Sequence, residues 1–247
     1  MRRNRRIFPP PLLSRDAMLL VLTWAAGSVD SVSYLGLGHV FTAMMTGNTV
    51  LLGLALAQGE LLAAARSILA LLGFALGVTL GAMIVERDES EAEWPHVVTA
   101  ALAFEAAVLL AFAVLWYWSG AERGVHAIHG LIVLLGTAMG IQAAAVRRLD
   151  VPGIATTYIT GTITSLFVDV VGWSRSPAHV WHGPSGDILK WERRVGLLAG
   201  VFCVYGFGAF CGGVLQAHYP ALVSVAPLIA VGVVVLNAVV RYGVRRF

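Results

Sequence analysis

Long apolar segments alternate with short polar stretches along the chain. Residues 67–85, 195–217 and 221–240 contain no Asp, Glu, Lys, Arg or His, and about 20 apolar residues in helical form are enough to cross a bilayer. The pattern therefore predicts an all-α fold, a polytopic transmembrane helix bundle. Its eight apolar segments cover residues 16–36, 41–58, 62–85, 96–118, 125–146, 155–172, 193–217 and 221–241.

The composition agrees with a lipid environment. Only 13% of the 247 residues are charged while 58% are apolar, and the mean hydropathy is +0.79, against about 25% charged residues in soluble domains. The polar stretches leave no room for a soluble domain of useful size. The two cysteines, Cys203 and Cys211, lie eight residues apart in one predicted helix, a rise of about 12 Å that is too long for a disulfide.

The basic residues lie at segment ends and predict topology. Four arginines lie within residues 1–6 and three within residues 241–246, so the positive-inside rule places both termini in the cytoplasm. The pI of 9.1 does not indicate a nucleic-acid partner, because the charges do not form one amphipathic face. Residues 1–15 are a basic cytoplasmic N-terminus, and the lipid bilayer is the predicted surrounding.

The second and sixth segments share a Thr-Gly pattern. Residues 41–49, FTAMMTGNT, align with residues 155–163, ATTYITGTI, so that a Thr-Gly pair and an upstream Thr coincide. The alignment predicts two homologous halves of four helical segments each, residues 16–121 and 122–247, within a single membrane domain. Glycines at four-residue spacing in the third and seventh segments predict close helix packing. They are Gly73, Gly77, Gly81, Gly200, Gly208 and Gly212.

Charge does not decide whether the two short Thr-Gly segments cross the membrane. If all eight segments cross, only Arg87, Arg147 and Arg148 lie outside, whereas if the short ones are re-entrant only Arg66 and Arg123 do. Eight crossings imply parallel repeats. Six imply inverted repeats, because an odd number of crossings per half reverses the second half. We favour eight.

A carboxylate inside the first segment is a candidate for function. Asp30 follows Gly27 and precedes Tyr34. A charge at mid-membrane costs about 2.5–3.5 kcal/mol on insertion scales and usually faces a bundle interior or an aqueous cavity. We therefore expect Asp30 and Tyr34 to border a solute or ion pathway. The alternative is that Asp30 caps a helix restart by accepting hydrogen bonds from freed backbone amides.

The Thr-Gly segments supply the groups that an unwound membrane helix needs. Glycine exposes backbone toward a ligand, and Thr and Asn can bond either the ligand or the freed backbone, so matching interruptions in two halves predict a binding site near the axis that relates them. Tight helix packing with hydrogen bonds between helices is the alternative. The pathway candidates here are Thr46, Gly47, Asn48, Thr49, Thr160, Gly161 and Thr162.

Two further polar residues lie deep in apolar segments. Glu105 is the second membrane carboxylate, and a proton-coupling role would require it to bind and release a proton near neutral pH. A protonated or paired structural Glu is the alternative. Gln142 could line the same pathway or form a packing hydrogen bond.

Neither an enzyme nor a cofactor is expected. The sequence has no Gly-x-Ser-x-Gly elbow, Walker loop, His-Glu-x-x-His or dinucleotide fingerprint. No metal site is predicted either, because the His126–His129 and His179–His182 pairs lack a nearby carboxylate or cysteine to complete one.

The early motifs are also recognisable. Residues 27–35, GSVDSVSYL, and residues 40–50, VFTAMMTGNTV, resemble the YoaK-like bacterial membrane family, catalogued as domain of unknown function 1275. The resemblance extends over nearly the whole chain from about residue 15 and implies a multi-pass protein of the bacterial inner membrane. It supports Asp30, Tyr34 and the Thr-Gly-Asn element as signature positions without assigning chemistry to any of them.

Two functions remain open on the sequence. Duplicated halves, interrupted helices and two membrane carboxylates favour a secondary transporter, permease or channel for a small solute, with proton or cation coupling. The alternative is a non-transport membrane scaffold or signalling protein. A homo-oligomer is compatible with either.

Overall fold

The computed structural model describes residues 13–88, 90, 92–120, 122–151, 156–157, 159–175 and 186–242; most of the predicted N-terminal extension, residues 1–12, lies outside them, as do His179 and His182. The described chain is all-helical, which confirms the predicted fold class. Six of the helices are long and apolar enough to cross a membrane. The helices are α1 (Arg15–Gly36), α2 (Met45–Gln58), α3 (Leu61–Val85), α4 (His96–Trp118), α5 (Val125–Arg148), α6 (Ile159–Arg175), α7 (Gly186–His218) and α8 (Val225–Tyr242).

Local signals set several helix ends. The Ser14 side chain accepts a hydrogen bond of 3.2 Å from the Ala17 amide and caps α1, satisfying one of the amides that the first turn leaves free. Gly59 ends α2 in the left-handed conformation with φ 73°, a common terminator because glycine lacks the Cβ that disfavours it. Pro95 immediately precedes α4, where its missing N–H costs no helix hydrogen bond.

Helices α3 and α5 pack closely and run in the same direction. A Cβ on Gly73 would lie 2.8 Å from the Val133 carbonyl oxygen, and one on Gly77 would collide with the Thr137 backbone. Moving four residues along α3 therefore moves the contact four residues along α5 in the same direction, so the two helices are parallel. The Thr137 hydroxyl donates to the Gly73 carbonyl across this interface (3.2 Å), as small residues allow in membrane bundles.

Helices α1 and α7 form a second parallel pair. A Cβ on Gly208 would collide with the Trp24 carbonyl, and one on Gly212 would lie 2.7 Å from the Ser28 carbonyl oxygen. Asp16, in the first turn of α1, forms an ion pair of 2.7 Å with Arg193, the eighth residue of α7.

Hydrogen bonds at the helix termini define the two ends of the bundle. At the end we call the basic end, Arg241 of α8 donates to the Leu13 carbonyl just before α1 (2.8 Å), and Arg148 at the end of α5 donates to the Asp88 carbonyl just after α3 (2.7 Å). At the far end, Trp116 of α4 donates to the Pro220 carbonyl between α7 and α8 (2.9 Å). Both described termini therefore lie at the basic end.

The directions of the helices correct the preference for eight crossings. A Cβ on Gly36, the last residue of α1, would lie 2.8 Å from the Trp116 ring at the far end, while α3 ends at the basic end and so begins at the far end. Because α1 ends where α3 begins, α2 does not cross. The same holds for α6 between α5 and α7, which leaves six crossings. Three lie before residue 122 and three after it, and each crossing in the second set runs in the direction opposite to its counterpart in the first.

Helix packing follows the same inverted relation. Helix α1 packs on α7 as α5 packs on α3, α2 packs on α3 as α6 packs on α7, and α4 packs on α5 as α8 packs on α1. Exchanging α1–α4 with α5–α8 thus maps each of these interfaces onto its partner. This is the arrangement expected of inverted repeats.

Candidate functional site

The Asp30 carboxylate is buried where α2 begins. One oxygen accepts hydrogen bonds from the amides of Thr42 (2.9 Å) and Ala43 (2.7 Å), with Met44 at 3.4 Å, and the other accepts one from the Tyr205 hydroxyl of α7. The α2 N-terminus has no cap of its own, so Asp30 supplies the acceptor that the free amides need. The favourable end of the α2 dipole also stabilises the negative charge.

These bonds make the segment before α2 re-entrant. Asp30 lies six residues before Gly36, about 9 Å inside the far end. The chain leaves α1 at the far end, returns inward to the level of Asp30 at Thr42, and α2 then leads outward again to the start of α3. With 14 residues, α2 is about 21 Å long, shorter than the hydrocarbon core.

Asn48 closes the same re-entrant segment. Its side chain is buried, its Oδ1 accepts from the Phe41 amide (2.9 Å), and its Nδ2 donates to the Phe41 carbonyl (2.5 Å). The Asn48 side-chain amide thus bonds to both the N–H and the C=O of Phe41. Asn at this position in the motif is explained by its hydrogen bonds to these two backbone groups, which would otherwise lack partners in the described chain.

Gln142 holds an equivalent segment in the second half. Its Nε2 donates to the Leu22 carbonyl of α1 (3.2 Å) and to the Thr156 hydroxyl (3.0 Å). Gln142 lies six residues before Arg148 at the end of α5, as Asp30 lies six before the end of α1. Helix α6 then returns to the basic end, where Asp169 pairs with Arg194 (3.0 Å).

The two re-entrant segments therefore enter from opposite ends. The first is bound by Asp30 of α1, and the second is bound by Gln142 of α5, whose Nε2 also donates to the Leu22 carbonyl of α1. Leu22 and Asp30 lie eight residues apart, about 12 Å along that helix. The meeting of the two Thr-Gly segments near the axis that relates the halves stays a prediction. The first half is held by a carboxylate and the second by a neutral amide.

The other pathway candidates differ in their exposure and local contacts. Tyr34 is 37% exposed at the far end, where its ring stacks on Phe41 (5.1 Å between centroids) and meets His39 edge-on (5.0 Å). The Thr49 hydroxyl donates to its own helix, to Met45 (3.2 Å). The side chains of Thr46, Thr49 and Thr160 are exposed, Thr162 is buried, and Gly47 and Gly161 are half-buried.

A tight turn beside Arg66 begins the first re-entrant segment. Gly38 adopts φ 90°, and a Cβ there would lie 3.0 Å from Arg66 Nε and closer still to the rest of the guanidinium. Glycine suits both the left-handed conformation and the close approach.

Glu105 lies fully buried on α4, away from both re-entrant segments. Neither of its oxygens has a hydrogen-bond partner among the described residues, and the same is true of Gln142 Oε1. A buried polar atom without a partner is uncommon in native proteins and calls for an explanation.

The predicted packing glycines differ in how closely they are approached. Gly73, Gly77, Gly208 and Gly212 lie against backbone atoms, and a Cβ on Gly81 would lie 2.8 Å from the Ala144 side chain. Gly200 is looser, with the Leu20 side chain at 3.3 Å.

A cavity of about 690 Å³ opens at the basic end between α4 and α8. Its wall includes the stacked rings of Trp94 and Tyr242 (6.0 Å between centroids), and at its rim His96 Nδ1 lies 3.0 Å from a carboxylate oxygen of Asp88. None of its lining residues belongs to the predicted pathway.

Sequence reasoning missed Tyr205 and the amides that bind Asp30. The available signal for Tyr205 was a hydroxyl within an otherwise apolar span, one turn before Gly208. Backbone amides leave no signal in side-chain identity, so Thr42 and Ala43 could not be found that way. In the part of the chain that the structure describes, no three His, Cys, Asp or Glu side chains cluster as metal ligands would.

Comparison with known proteins agrees with the resemblance of the early motifs. A family model described as protein of unknown function (DUF1275) matches residues 18–240. The chain belongs to this family. It is also 44% identical over 158 residues to UPF0700 transmembrane protein YoaK of Bacillus subtilis (strain 168), a match that covers 64% of this chain and 68% of that protein. No solved structure matches it.

Proposed function

We propose that this membrane protein is a secondary transporter, permease or channel for a small solute. The observation that supports the proposal most is the pair of re-entrant half-helices, which enter from opposite ends and are tied to α1 and α5 by Asp30 and Gln142. Broken helices in inverted repeats are the usual setting of substrate and ion sites in transporters. Irregular backbone at membrane depth is tolerated where protein or a water-filled cavity surrounds it.

We further propose that residues 16–121 and 122–247 are homologous halves. The aligned Thr42 and Thr156 both precede a re-entrant helix and both bond to a residue six positions from the end of the preceding span. A shared position in sequence and in structure supports duplication more strongly than the motif alone.

In this proposal the solute or ion pathway passes between the re-entrant segments. The bordering residues are Asp30, Tyr34, Thr46, Gly47, Asn48 and Thr49 on one side and Gln142, Thr160, Gly161 and Thr162 on the other, with Glu105 deeper in the bundle. Asp30 binds the amides of Thr42 and Ala43 before α2, so in this proposal its charge acts on the pathway through the position of α2. A change of position of such a half-helix would alternate access between the two ends.

The orientation follows from charge. Arg66 of α3 lies near the far end, and Arg123, also at that end, packs over the Trp116 ring (3.6 Å), whereas the other described arginines gather toward the basic end. We propose by the positive-inside rule that the basic end faces the cytoplasm of a bacterial inner membrane. Proton or cation coupling and homo-oligomerisation belong to the same proposal, which includes no catalytic step.

A non-transport scaffold is the second candidate. The observation that favours it is that Asp30 and Asn48 both hydrogen-bond to backbone groups, which gives each residue a purely structural role. A scaffold requires no solute to bind.

A ligand screen separates the two candidates. Purified protein in detergent is tested by thermal shift against classes of small solutes, and hits are tested for uptake into proteoliposomes. Transport predicts a stabilising solute that accumulates with an ion gradient, and Asp30→Asn should reduce uptake or its ion dependence while Glu60→Gln, an exposed change at the far end, should not. A stabilising hit that never crosses the bilayer would contradict the transport proposal.

A further inference from the structure

Glu105 occupies the middle of α4 with no partner for its charge. It lies nine residues from the start of the helix and thirteen from its end, about 14 and 20 Å along the axis. The side chain is fully buried and both oxygens lack hydrogen-bond partners in the described chain. An ionised carboxylate in such a place would be unusually costly, because burial removes its hydration and nothing described replaces it.

The surrounding helices bring no charge to this level. Helix α4 packs on α5, α8 and α3, and Leu115 meets Gly130, so the antiparallel register places Glu105 level with residue 140 of α5. Arg147 is then the nearest titratable residue of those helices, about 10 Å along the axis. The titratable side chains of the three helices all lie toward their ends: His126, His129, Arg147 and Arg148 on α5, Arg241 and Tyr242 on α8, and Arg66 on α3.

One uncharged acceptor lies near the same level. Gln142 is two residues beyond residue 140 on α5, and its Oε1 has no partner while its Nε2 is occupied by Leu22 and Thr156. A protonated carboxyl carries one O–H donor and an ionised one carries none. Near this level the described parts of α3, α5 and α8 thus carry an uncharged amide and no cation that would stabilise an ionised Glu105.

We infer that the Glu105 carboxyl is a proton-binding site in the centre of the bundle, which exchanges its proton with the aqueous phase. The inference rests on the proposed function in one respect, since it names the proton as the coupled ion. A metal cation is disfavoured because hard cations take six or more oxygen ligands, whereas among the described residues the Glu105 oxygens have no hydrogen-bond partner and no three His, Cys, Asp or Glu side chains cluster. A proton needs only the one carboxyl.

A hydrophobic carbodiimide tests the site without knowledge of the solute. Dicyclohexylcarbodiimide reacts with the acid form: the proton moves to a reagent nitrogen, the carboxyl oxygen bonds to the central carbon, and rearrangement to the N-acylurea retains every atom. The purified full-length protein is treated in proteoliposomes between pH 5 and pH 9, with extents corrected for hydrolysis of the reagent. Peptide mass spectrometry then locates the adduct.

The expected result is an adduct on the peptide that contains Glu105. Its extent should fall on the order of tenfold per pH unit above the pH at which the site releases its proton. Glu105→Gln, a neutral isostere, should lose this adduct, while Asp30→Asn should retain it. Because the mapping is done on the natural sequence, the result does not depend on whether either variant folds.

Two results would overturn the inference. The first is an unmodified Glu105 while another carboxyl reacts. The second is an extent of modification that stays constant across the pH range, since that describes a permanently protonated structural residue. Failure of the solute screen with a pH-dependent adduct at Glu105 would contradict transport alone, and solute uptake without such an adduct would contradict the proton site alone.

Discussion

The Tyr205 hydroxyl donates to the same Asp30 carboxylate that binds the amides of Thr42 and Ala43. One buried side chain thus joins α1, α7 and the start of α2. Next to Asp30 along these helices, α1 and α7 pack closely at Gly208 and Trp24. The position of α2 is therefore tied to the packing of two membrane-spanning helices. Movement of α2 requires these bonds to break or α1 and α7 to move with it.

Removing either partner should destabilise the protein, and the effects should not add. We expect Asp30→Asn to cost about 1–3 kcal/mol, because hydrogen bonds to a charged group are lost and the new amide donors face other donors. Tyr205→Phe should cost less, since two strong amide bonds to Asp30 remain. Thermal unfolding in detergent measures both, and the double variant should show a coupling of at least about 0.5 kcal/mol. Strict additivity would show that the hydroxyl does not act through Asp30.

The close glycine contacts predict overpacking. Gly77→Leu and Gly208→Leu place a side chain against the backbones of Thr137 and Trp24, and each should destabilise by at least about 1–3 kcal/mol. Gly196→Leu is the matched control on α7, because nothing lies within 4 Å of its Cβ position, and it should change the melting temperature little. Equal melting temperatures for all three variants would contradict the packing.

Six crossings can be tested by labelling. After replacement of Cys203 and Cys211 by Ser, a cysteine at Gln58 should react with an impermeant maleimide from outside intact cells, and one at Glu86 should react only in inside-out vesicles. Both positions are exposed, and the two lie at opposite ends of α3. Eight crossings predict the reverse assignment for both positions, so one experiment distinguishes the topologies.

The stability of the loop that follows α3 and contains Asp88, at the basic end, should fall at acid pH. The pKa of Asp88 lies below its usual 3.8, chiefly because the Ser90 amide donates a hydrogen bond of 2.9 Å to its carboxylate. The Ser90 hydroxyl, His96 and Arg148 lower this pKa further. A lowered pKa means that this stabilisation is fully present above about pH 4 and is lost as the pH falls through the folded value. Hydrogen exchange of the loop should therefore be constant from pH 7 to about pH 4 after correction for intrinsic rates, and should rise below it. Asp88→Asn should abolish that rise, and an unchanged rise in this variant would assign it to another group.

The local elements were predictable for a physical reason. Helical spans form wherever a long apolar segment must satisfy its backbone internally, and the predicted ends of α1, α3 and α4 lie within one residue of the observed ones. Residue 155, the predicted start of the sixth segment, lies outside the described residues, and α6 begins at Ile159. The start of α7 lies at Gly186 and not at the predicted residue 193, because Asp187, Lys190 and Glu192 interrupt the apolar pattern before residue 193.

The candidate site was predicted only in part. Asp30 is buried, and its bonds to the amides before α2 are those expected of the capping alternative; its role in a pathway stays a prediction. Its actual partners lie 12 and 13 residues away in backbone and 175 residues away at Tyr205, separations at which one sequence gives no signal of contact.

The amino-acid sequence by itself determined which segments enter the membrane, because transfer of apolar side chains into lipid is a local property of each segment. Tertiary structure alone decided which of them cross it. The two short segments are also apolar, and they turn back where Asp30 accepts hydrogen bonds from the amides before α2 and Gln142 donates one to the Thr156 hydroxyl before α6. These hydrogen bonds form only where the chain folds the partners close together in space. The bundle therefore has six crossing helices and two re-entrant ones, although all eight segments are apolar.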